Sequence, residues 1–258
     1  SALMLAGLHA DGETRITGPE ATRDHTEIML NYLGADIRKE GDTIVVRPAA
    51  ELTGRDITVP GDISSAAYFI AAALISKDSE VLIKNVGVNP TRTGIITAFK
   101  AMGGNIELIN ERTVCGEPVA DILVRSSRLH GVVIKGAIIP KLIDEIPVIA
   151  AAACYASGET VIADAAELRV KESDRIKTMA AELGRMGATV IQTDDGMIIL
   201  GGIPLHGAVC ESYNDHRVAM SVAVAALGAK GETQIKDCGC VDISFPGYFD
   251  ALMSLRED

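Results

Sequence analysis

The sequence contains no tryptophan, and aromatic residues make up only 3% of its 258 positions. Single-stranded nucleic acids stack on aromatic side chains, so this scarcity disfavours a nucleic-acid binder. The formal net charge of −11 agrees, because surfaces that bind nucleic acids are usually basic. We therefore expect no nucleic-acid partner. A local cluster of cations can still bind small anions, because charges act strongly at short range.

Long apolar runs are also absent. The longest, at 146–156, is shorter than the roughly 20 residues that a membrane-spanning helix needs. No charged-then-apolar leader occurs, so we expect no membrane association and a cytoplasmic location. The five cysteines include a single close pair, Cys238 and Cys240, which has no further partners at zinc spacing. The sequence thus predicts structural thiols, with no metal and no cofactor.

Internal repetition is the strongest organisational signal. A Gly-Glu-Thr turn followed by a β-rich stretch occurs at 12–17, 158–162 and 231–235, with a weaker copy at 78–83. A second helix in each of three units ends in a glycine turn, at Gly34, Gly103 and Gly187. Glycine is favoured there because it adopts the left-handed conformation without a Cβ clash. We predict α/β units of about 70 residues, longer than common solenoid repeats.

The first helix of each unit lacks a polar face. The runs 65–74, 146–153 and 218–227 are apolar on all sides, which predicts helices that are buried on all sides. The second helices are amphipathic; the one at 176–186, for example, carries Lys177, Glu182 and Arg185 on a polar face. We expect an α/β lobe with helices in the middle and sheets outside.

A domain boundary is predicted near 59–65, where Pro60 and Gly61 precede a serine pair that can cap a helix. We assign 1–61 to the remnant of an N-terminal lobe and 62–258 to a C-terminal lobe. The first residues read as the middle of a helix, with no capping signal ahead of Ser1. The sequence therefore predicts a piece of a longer protein.

Basic residues occur at predicted helix starts, where the macrodipole favours acidic ones. The openings at 22–25, 91–92, 171–175 and 214–217 all carry Arg, Lys or His. A neighbouring aspartate that pairs with the cation explains any single case. Equivalent helix ends in stacked repeats tend to lie on one side, however, which would gather the cations into one anion site. Because Arg suits phosphate and carboxylate binding, we predict phosphorylated ligands.

Two acidic positions are candidates for acid–base chemistry. Asp144 and Glu145 precede the apolar helix at 146–153, where a carboxylate either caps the helix or is a functional acid with a shifted pKa. Capping alone is the simpler interpretation. Glu172 lies beside Lys171 and near Arg175, where a salt bridge is the simpler interpretation.

Five ordered motifs carry a family resemblance that spans nearly the whole chain. They are Arg-Asp-His-Thr-Glu at 23–27, Ile-Asp-Glu-Ile-Pro at 143–147, Arg-Val-Lys-Glu-Ser-Asp-Arg at 169–175, Asn-Asp-His-Arg at 214–217 and Ser-Phe-Pro-Gly-Tyr-Phe at 244–249. The chain resembles the latter part of the 5-enolpyruvylshikimate-3-phosphate (EPSP) synthases, more the glyphosate-tolerant class than the sensitive one. The resemblance implies an α/β fold, an inside-out barrel of repeated βαβαββ units.

The implied reaction transfers the enolpyruvyl group of phosphoenolpyruvate to the 5-hydroxyl of shikimate 3-phosphate and releases phosphate. By resemblance, Asp144 is the base at the attacking hydroxyl, and Glu172 moves a proton at the methylene carbon. The implied substrate-binding residues are Arg23 and Lys171 for shikimate 3-phosphate, and Arg175 and Arg217 for phosphoenolpyruvate, with His216 alongside. Two carboxylates in different environments suit such an addition. The cations neutralise and position the substrates without a metal.

The sequence departs from the family in two ways. Some members carry a Lys that contacts phosphoenolpyruvate where this chain has Ile243. The family's N-terminal region, with its Lys-Ser pair and a phosphoenolpyruvate-binding Arg, has no counterpart here. Family members carry a Lys immediately before the position of Ser1, which suggests cleavage by a trypsin-like protease. We therefore expect little activity from this chain alone, the missing N-terminal part as its partner, and a monomer at full length.

Two alternatives remain open at this point. One is the sister transferase that acts on UDP-N-acetylglucosamine with the same fold and phosphoenolpyruvate. The other is a non-catalytic anion-binding lobe used as a scaffold.

Overall fold

The computed structural model describes residues 1–18, 23–49 and 51–255. Three successive units share one order of elements: a helix, a strand, a second helix and two further strands. The first unit has α1 (Ala2–Gly7), β1 (Thr14–Thr17), α2 (His25–Tyr32), β2 (Ile37–Glu40) and β3 (Thr43–Val46). The second has α3 (Ile63–Ile75), β4 (Glu80–Gly87), α4 (Gly94–Ala101), β5 (Asn105–Val114) and β6 (Glu117–Arg125). The third has α5 (Ile146–Ala153), β8 (Glu159–Ile162), α6 (Arg175–Arg185), β9 (Thr189–Gln192) and β10 (Met197–Leu200).

Each unit forms an antiparallel sheet in which its last strand lies between the other two, in the orders β1-β3-β2, β4-β6-β5 and β8-β10-β9. A short strand β7 (Val133–Ile134) joins the third sheet parallel to β8. The same parallel pairing recurs between β11 (Val209–Glu211) and β12 (Gln234–Lys236), which flank α7 (His216–Ala226). The described ranges also contain four 3₁₀ segments, at Gly136–Lys141, Ile143–Glu145, Ala166–Val170 and Cys238–Ile243, and a last helix α8 (Tyr248–Met253).

The predicted repeat is confirmed. The Gly-Glu-Thr turns lead into β1, β8 and β12, and the weaker copy leads into β4. Gly34, Gly103 and Gly187 follow α2, α4 and α6 with φ of 100°, 89° and 93°. A side chain is strained in that region, which explains glycine at these helix ends.

The three apolar helices are buried and contact one another, as predicted. Every residue of α5 is buried, and α7 is buried from Val218 to Ala225. Their alanines leave room for close approach of the helix backbones. One prediction for α6 was wrong, since Glu182 is fully buried rather than on the polar face. It accepts hydrogen bonds from the Tyr213 hydroxyl at 2.7 Å and from the Glu211 amide at 3.0 Å.

The apolar side chains form two separate clusters. A small one contains Met4, Leu8, Leu30, Ile37 and Val46, all from the first unit. The large one begins at Ile63 and runs through the second and third units to Leu252. Cys154 belongs to it and is 1% exposed, as expected of a core thiol. All five cysteines are free thiols.

Three of the predicted helix openings begin before the observed helices, those at 22–25, 91–92 and 171–175. Residues 91–92 precede α4, whose N-cap is Thr93, so Arg92 lies in a loop. Lys171 and Glu172 lie in the loop before α6, because Asp174 takes the N-cap position and accepts a hydrogen bond from the Lys177 amide. A residue that precedes the N-cap lies outside the helix, so the helix macrodipole does not disfavour a cation there.

Thr22 lies outside the described residues, and Arg23 immediately precedes the N-cap of α2, Asp24. Within the ranges that the structure describes, none of the helices has the length and apolar character needed to cross a membrane. In the same ranges, no group of three or more His, Cys, Asp or Glu side chains is placed to hold a metal ion.

Candidate active site

Asp144 lies in a 3₁₀ turn directly before α5, and its carboxylate does not cap that helix. The N-cap position belongs to Glu145, which makes no side-chain capping bond either. Pro147, the second residue of α5, has no amide N–H, which removes one of the two amides that an N-cap side chain can bond. The capping interpretation was therefore wrong for Asp144.

Four cationic side chains surround the Asp144 carboxylate. Arg23 Nη2 donates to Oδ2 at 3.0 Å, and Arg217 Nη2 lies 3.9 Å from the same oxygen. Lys171 Nζ and Arg175 Nη1 lie 3.8 Å and 3.7 Å from Oδ1. These residues come from the loop before α2, the loop before α6 and the first turns of α6 and α7. The predicted convergence of the four cations is confirmed.

The charge around Asp144 keeps it ionised. Burial by itself would raise the pKa of this carboxyl, but the charge of Arg217 and the hydrogen bond from Arg23 outweigh it. The pKa of Asp144 therefore lies below its ordinary value. The cations also contact other carboxylates: Lys171 pairs with Glu167, Arg175 with Glu172 and Asp215, and Arg217 Nη1 lies 3.9 Å from Glu145.

The Arg175 side chain is 1% exposed and is held by a carboxylate that is fully buried, that of Asp215. Asp215 Oδ2 accepts from Arg175 Nε at 2.8 Å and from the Ser173 hydroxyl at 2.9 Å. Its Oδ1 accepts from the Arg217 amide at 2.9 Å, which makes Asp215 the N-cap of α7. One carboxylate thus orients the guanidinium of α6 and caps α7. Sequence reasoning missed this role, although Asp215 lies in the 214–217 motif.

Glu172 lies beside the cluster, with a side chain that is about half exposed. Its Oε2 accepts a hydrogen bond from Arg175 Nη2, so the salt-bridge interpretation describes its contact in this structure. The Arg175 guanidinium therefore contacts three carboxylates, those of Glu172, Asp144 and Asp215.

His216 is the first residue of α7 and is partly buried. Burial and the neighbouring Arg217 charge lower the pKa of His216 below its ordinary value. The imidazole is therefore neutral at pH 7. Ile243 is 88% exposed.

Residues 1–252 match the model of the family described as EPSP synthase (3-phosphoshikimate 1-carboxyvinyltransferase). The chain belongs to the EPSP synthase family. A 3-phosphoshikimate 1-carboxyvinyltransferase from Desulforudis audaxviator is 57% identical over 256 residues, which are 99% of this chain and 60% of the relative. One from Geotalea uraniireducens is 57% identical over 252 residues, or 98% of this chain and 59% of the relative.

Solved structures agree with this membership of the EPSP synthase family. EPSP synthase from Acinetobacter baumannii has a TM-score of 0.94 at 44% identity, covering 98% of this chain and 58% of that one. The enolpyruvyl transferase NikO from Streptomyces tendae has a TM-score of 0.78 at 21% identity, over 98% of this chain and 57% of that one, and shows the fold alone. The chain has an enolpyruvyl transferase fold and spans about 60% of the length of the curated relatives that it matches.

Proposed function

We propose that this chain supplies part of the active site of an EPSP synthase, which transfers the enolpyruvyl group of phosphoenolpyruvate to the 5-hydroxyl of shikimate 3-phosphate and releases phosphate. The observation that carries the proposal is the convergence of Arg23, Lys171, Arg175 and Arg217 on the carboxylate of Asp144. The family membership supports the same reaction. Because the chain spans about 60% of its relatives' length, this activity belongs to the longer protein.

Asp144 is the proposed base. Its lowered pKa makes it a weak base while the neighbouring cations are not shared with a substrate. Substrate phosphate and carboxylate groups would share those cations, and the pKa of Asp144 would rise towards its ordinary value. Asp144 could then take the proton of the 5-hydroxyl while the hydroxyl oxygen bonds to carbon 2 of phosphoenolpyruvate.

Glu172 is the proposed proton carrier at carbon 3. In the addition, carbon 3 gains a proton as the new carbon–oxygen bond forms at carbon 2. In the elimination, the bond from carbon 2 to phosphate breaks, and carbon 3 loses a proton to restore the double bond. Glu172 is partly exposed and hydrogen-bonded to Arg175, so it stands beside the cluster without being buried in it.

The cations divide between the two substrates in this proposal. Arg23 and Lys171 would bind shikimate 3-phosphate, because they lie on loops and are the more accessible, with side chains 43% and 22% exposed. Arg175 and Arg217 would bind phosphoenolpyruvate, with side chains 1% and 16% exposed. Buried guanidinium groups suit a small, dehydrated anion, because their charge is less screened there. His216 would lie alongside as a neutral hydrogen-bonding group.

We also propose the finer architecture, an inside-out barrel of βαβαββ units in two lobes, with a boundary at 61–62. The mutual packing of α3, α5 and α7 under the sheets supports the barrel. The gap between the two apolar clusters, which falls between Val46 and Ile63, supports the boundary. The remnant 1–61 would then belong to the N-terminal lobe that the longer protein completes.

The test uses a completed protein, in which the part of the Desulforudis audaxviator relative that this chain does not match precedes it. Phosphate release is measured with phosphoenolpyruvate and either shikimate 3-phosphate or UDP-N-acetylglucosamine. We expect phosphate release when the acceptor is shikimate 3-phosphate and none when it is UDP-N-acetylglucosamine. Release with the nucleotide sugar instead would contradict the proposal and favour the sister transferase.

Asp144→Asn is expected to lower turnover at least 100-fold, the usual scale for losing a general base. Asp121→Asn is the matched control, because Asp121 is another aspartate with a lowered pKa and a similarly covered side chain, 12% exposed against 17% for Asp144. It bonds Asn110 and the Asn85 amide on the sheet of the second unit. Turnover should survive that change. Equal losses in the two variants would contradict the role of Asp144.

The chain of 258 residues should bind shikimate 3-phosphate weakly in calorimetry and release little phosphate. A chain that turns over alone at the completed protein's rate would contradict the predicted need for the N-terminal part. Absence of binding even in the completed protein would instead favour a scaffold.

A further inference from the structure

Glu145 is a buried acid whose carboxylate points away from the helix that it precedes. The residue is 2% exposed, and it makes no capping bond to α5. Its Oε1 instead accepts a hydrogen bond from the hydroxyl of Ser64, in the first turn of α3. A buried carboxylate is costly unless it is paired, so this orientation requires partners outside α5.

Two guanidinium groups supply that pairing. Arg92 Nη2 donates to the Ser64 hydroxyl at 2.7 Å, and that hydroxyl in turn donates to Glu145. Arg217 Nη1 lies 3.9 Å from Glu145 Oε1. The hydroxyl thus links the carboxylate to Arg92 on one side, while Arg217 faces it on the other. The contacts join the starts of α3, α5 and α7 with the loop before α4.

The Arg217 guanidinium is held on one edge by a hydrogen bond to a backbone carbonyl, with the Glu145 carboxylate in ionic contact at 3.9 Å. Its Nη1 donates to the carbonyl oxygen of Asp144 at 3.0 Å and faces Glu145. Its Nη2 lies 3.9 Å from the Asp144 carboxylate, beyond direct hydrogen-bonding distance. One edge of the group is therefore held by the protein, which leaves Nη2 on the side of the cation cluster.

We propose that Glu145, oriented by Ser64 and Arg92, is a positioning residue that fixes the Arg217 guanidinium for phosphoenolpyruvate. The inference rests on the proposed function, in which Arg217 binds that substrate. Glu145 contacts no reacting atom, so its loss should weaken the binding of one substrate. An anion site depends on guanidinium direction, because hydrogen bonds weaken steeply when misaligned.

The first test is Glu145→Gln in the completed protein. The KM for phosphoenolpyruvate should rise about tenfold, while the KM for shikimate 3-phosphate stays within about twofold. Glu182→Gln is the matched control, because Glu182 is equally buried but bonds Tyr213 and the Glu211 amide. It should lower thermal stability and leave both KM values within about twofold of wild type.

The second test is Ser64→Ala, which removes one oxygen atom. It still tests the inference if the Glu145→Gln variant does not fold. It should also raise the KM for phosphoenolpyruvate selectively, because Glu145 loses its donor. The double variant should be no worse than the worse single variant, as expected when two residues act through one contact.

The outcomes separate the two proposals. A wild-type completed protein without phosphate release would overturn the proposed function and this inference with it. An active wild type whose Ser64→Ala and Glu145→Gln variants keep their KM for phosphoenolpyruvate would overturn the positioning role alone. Equal rises in both KM values, or a selective rise in Glu182→Gln, would do the same, since they indicate a general structural effect.

Discussion

The guanidinium of Arg175 and the carboxylate of Asp215 form a buried pair with two hydrogen bonds, Nε to Oδ2 at 2.8 Å and Nη2 to Oδ1 at 3.3 Å. The residues are 40 positions apart and stand at the starts of α6 and α7. The pair therefore fixes two helices relative to one another at the point where both contribute cations to the site.

Asp215→Ala is predicted to destabilise the 258-residue chain by about 3–5 kcal/mol, because it leaves Arg175 buried without its main partner and uncaps α7. Chemical denaturation followed by circular dichroism measures the change. Asp62→Ala is the comparison, since Asp62 caps α3 through the Ser65 amide but is exposed. That variant should lose only about 1 kcal/mol. Losses of equal size in the two variants would show that the buried pair contributes nothing beyond the cap.

The pH dependence of stability should carry opposite contributions from Asp215 and Glu145. Burial acts to raise the pKa of Asp215, but the hydrogen bond and charge of Arg175 outweigh it, so the pKa is lowered. Its stabilising contribution is present above the unfolded pKa of about 3.9 and is lost as pH falls through the folded value. The free energy of unfolding should therefore decrease on acidification below about pH 4.

Burial raises the pKa of Glu145. A raised carboxyl pKa contributes stability that is fully present below the unfolded value of about 4.3 and is lost as pH rises through the folded value. The glutamine side chain in Glu145→Gln does not titrate, so the variant should not lose this stability as pH rises. Relative to wild type, the variant should be more stable at pH 7 than at pH 4. A difference between variant and wild type that is independent of pH would contradict this prediction.

His216 should titrate below pH 6.5 in the chain, because burial and the Arg217 charge lower its pKa. The imidazole proton resonance in an NMR titration gives the midpoint directly. Inorganic phosphate should raise the midpoint, because a bound anion offsets the charge of Arg217. A His216 midpoint above 6.5 without phosphate, or one that phosphate does not move, would count against the site.

Gly94, the first residue of α4 in the second unit, packs against the segment before Asp144, so Gly94→Ala should displace Asp144. A Cβ there would lie 2.9 Å from both the Leu142 Cβ and the Lys141 carbonyl, in the segment that leads to Asp144. We expect the completed protein to lose turnover at least tenfold, because the Asp144 turn must shift. Gly184→Ala is the control, since a Cβ there meets nothing within 4 Å. It should stabilise α6 by up to about 1 kcal/mol and keep turnover. Full turnover in Gly94→Ala would show that the turn can adjust.

The repeat, the buried helices and the set of cations can all be predicted from local sequence patterns. A run such as 146–153 has no polar face, so burial on all sides is its only stable environment. Glycines at 34, 103 and 187 marked helix ends because only that residue takes the required φ without strain. Each of these features depends on residues close together in sequence, so local sequence patterns predict it.

Which charged side chains meet depends on the packing of the units and cannot be predicted from the sequence pattern. Asp144 and Glu145 are neighbours in sequence, yet one faces four cations and the other faces Ser64. Asp215 caps α7, and only the packing of α6 against α7 shows that it also bonds Arg175. The helical pattern places Glu182 on the surface, but in the structure it is buried and accepts a hydrogen bond from Tyr213. Contacts between residues far apart in sequence depend on how the units stack, and no periodicity within one unit specifies that arrangement.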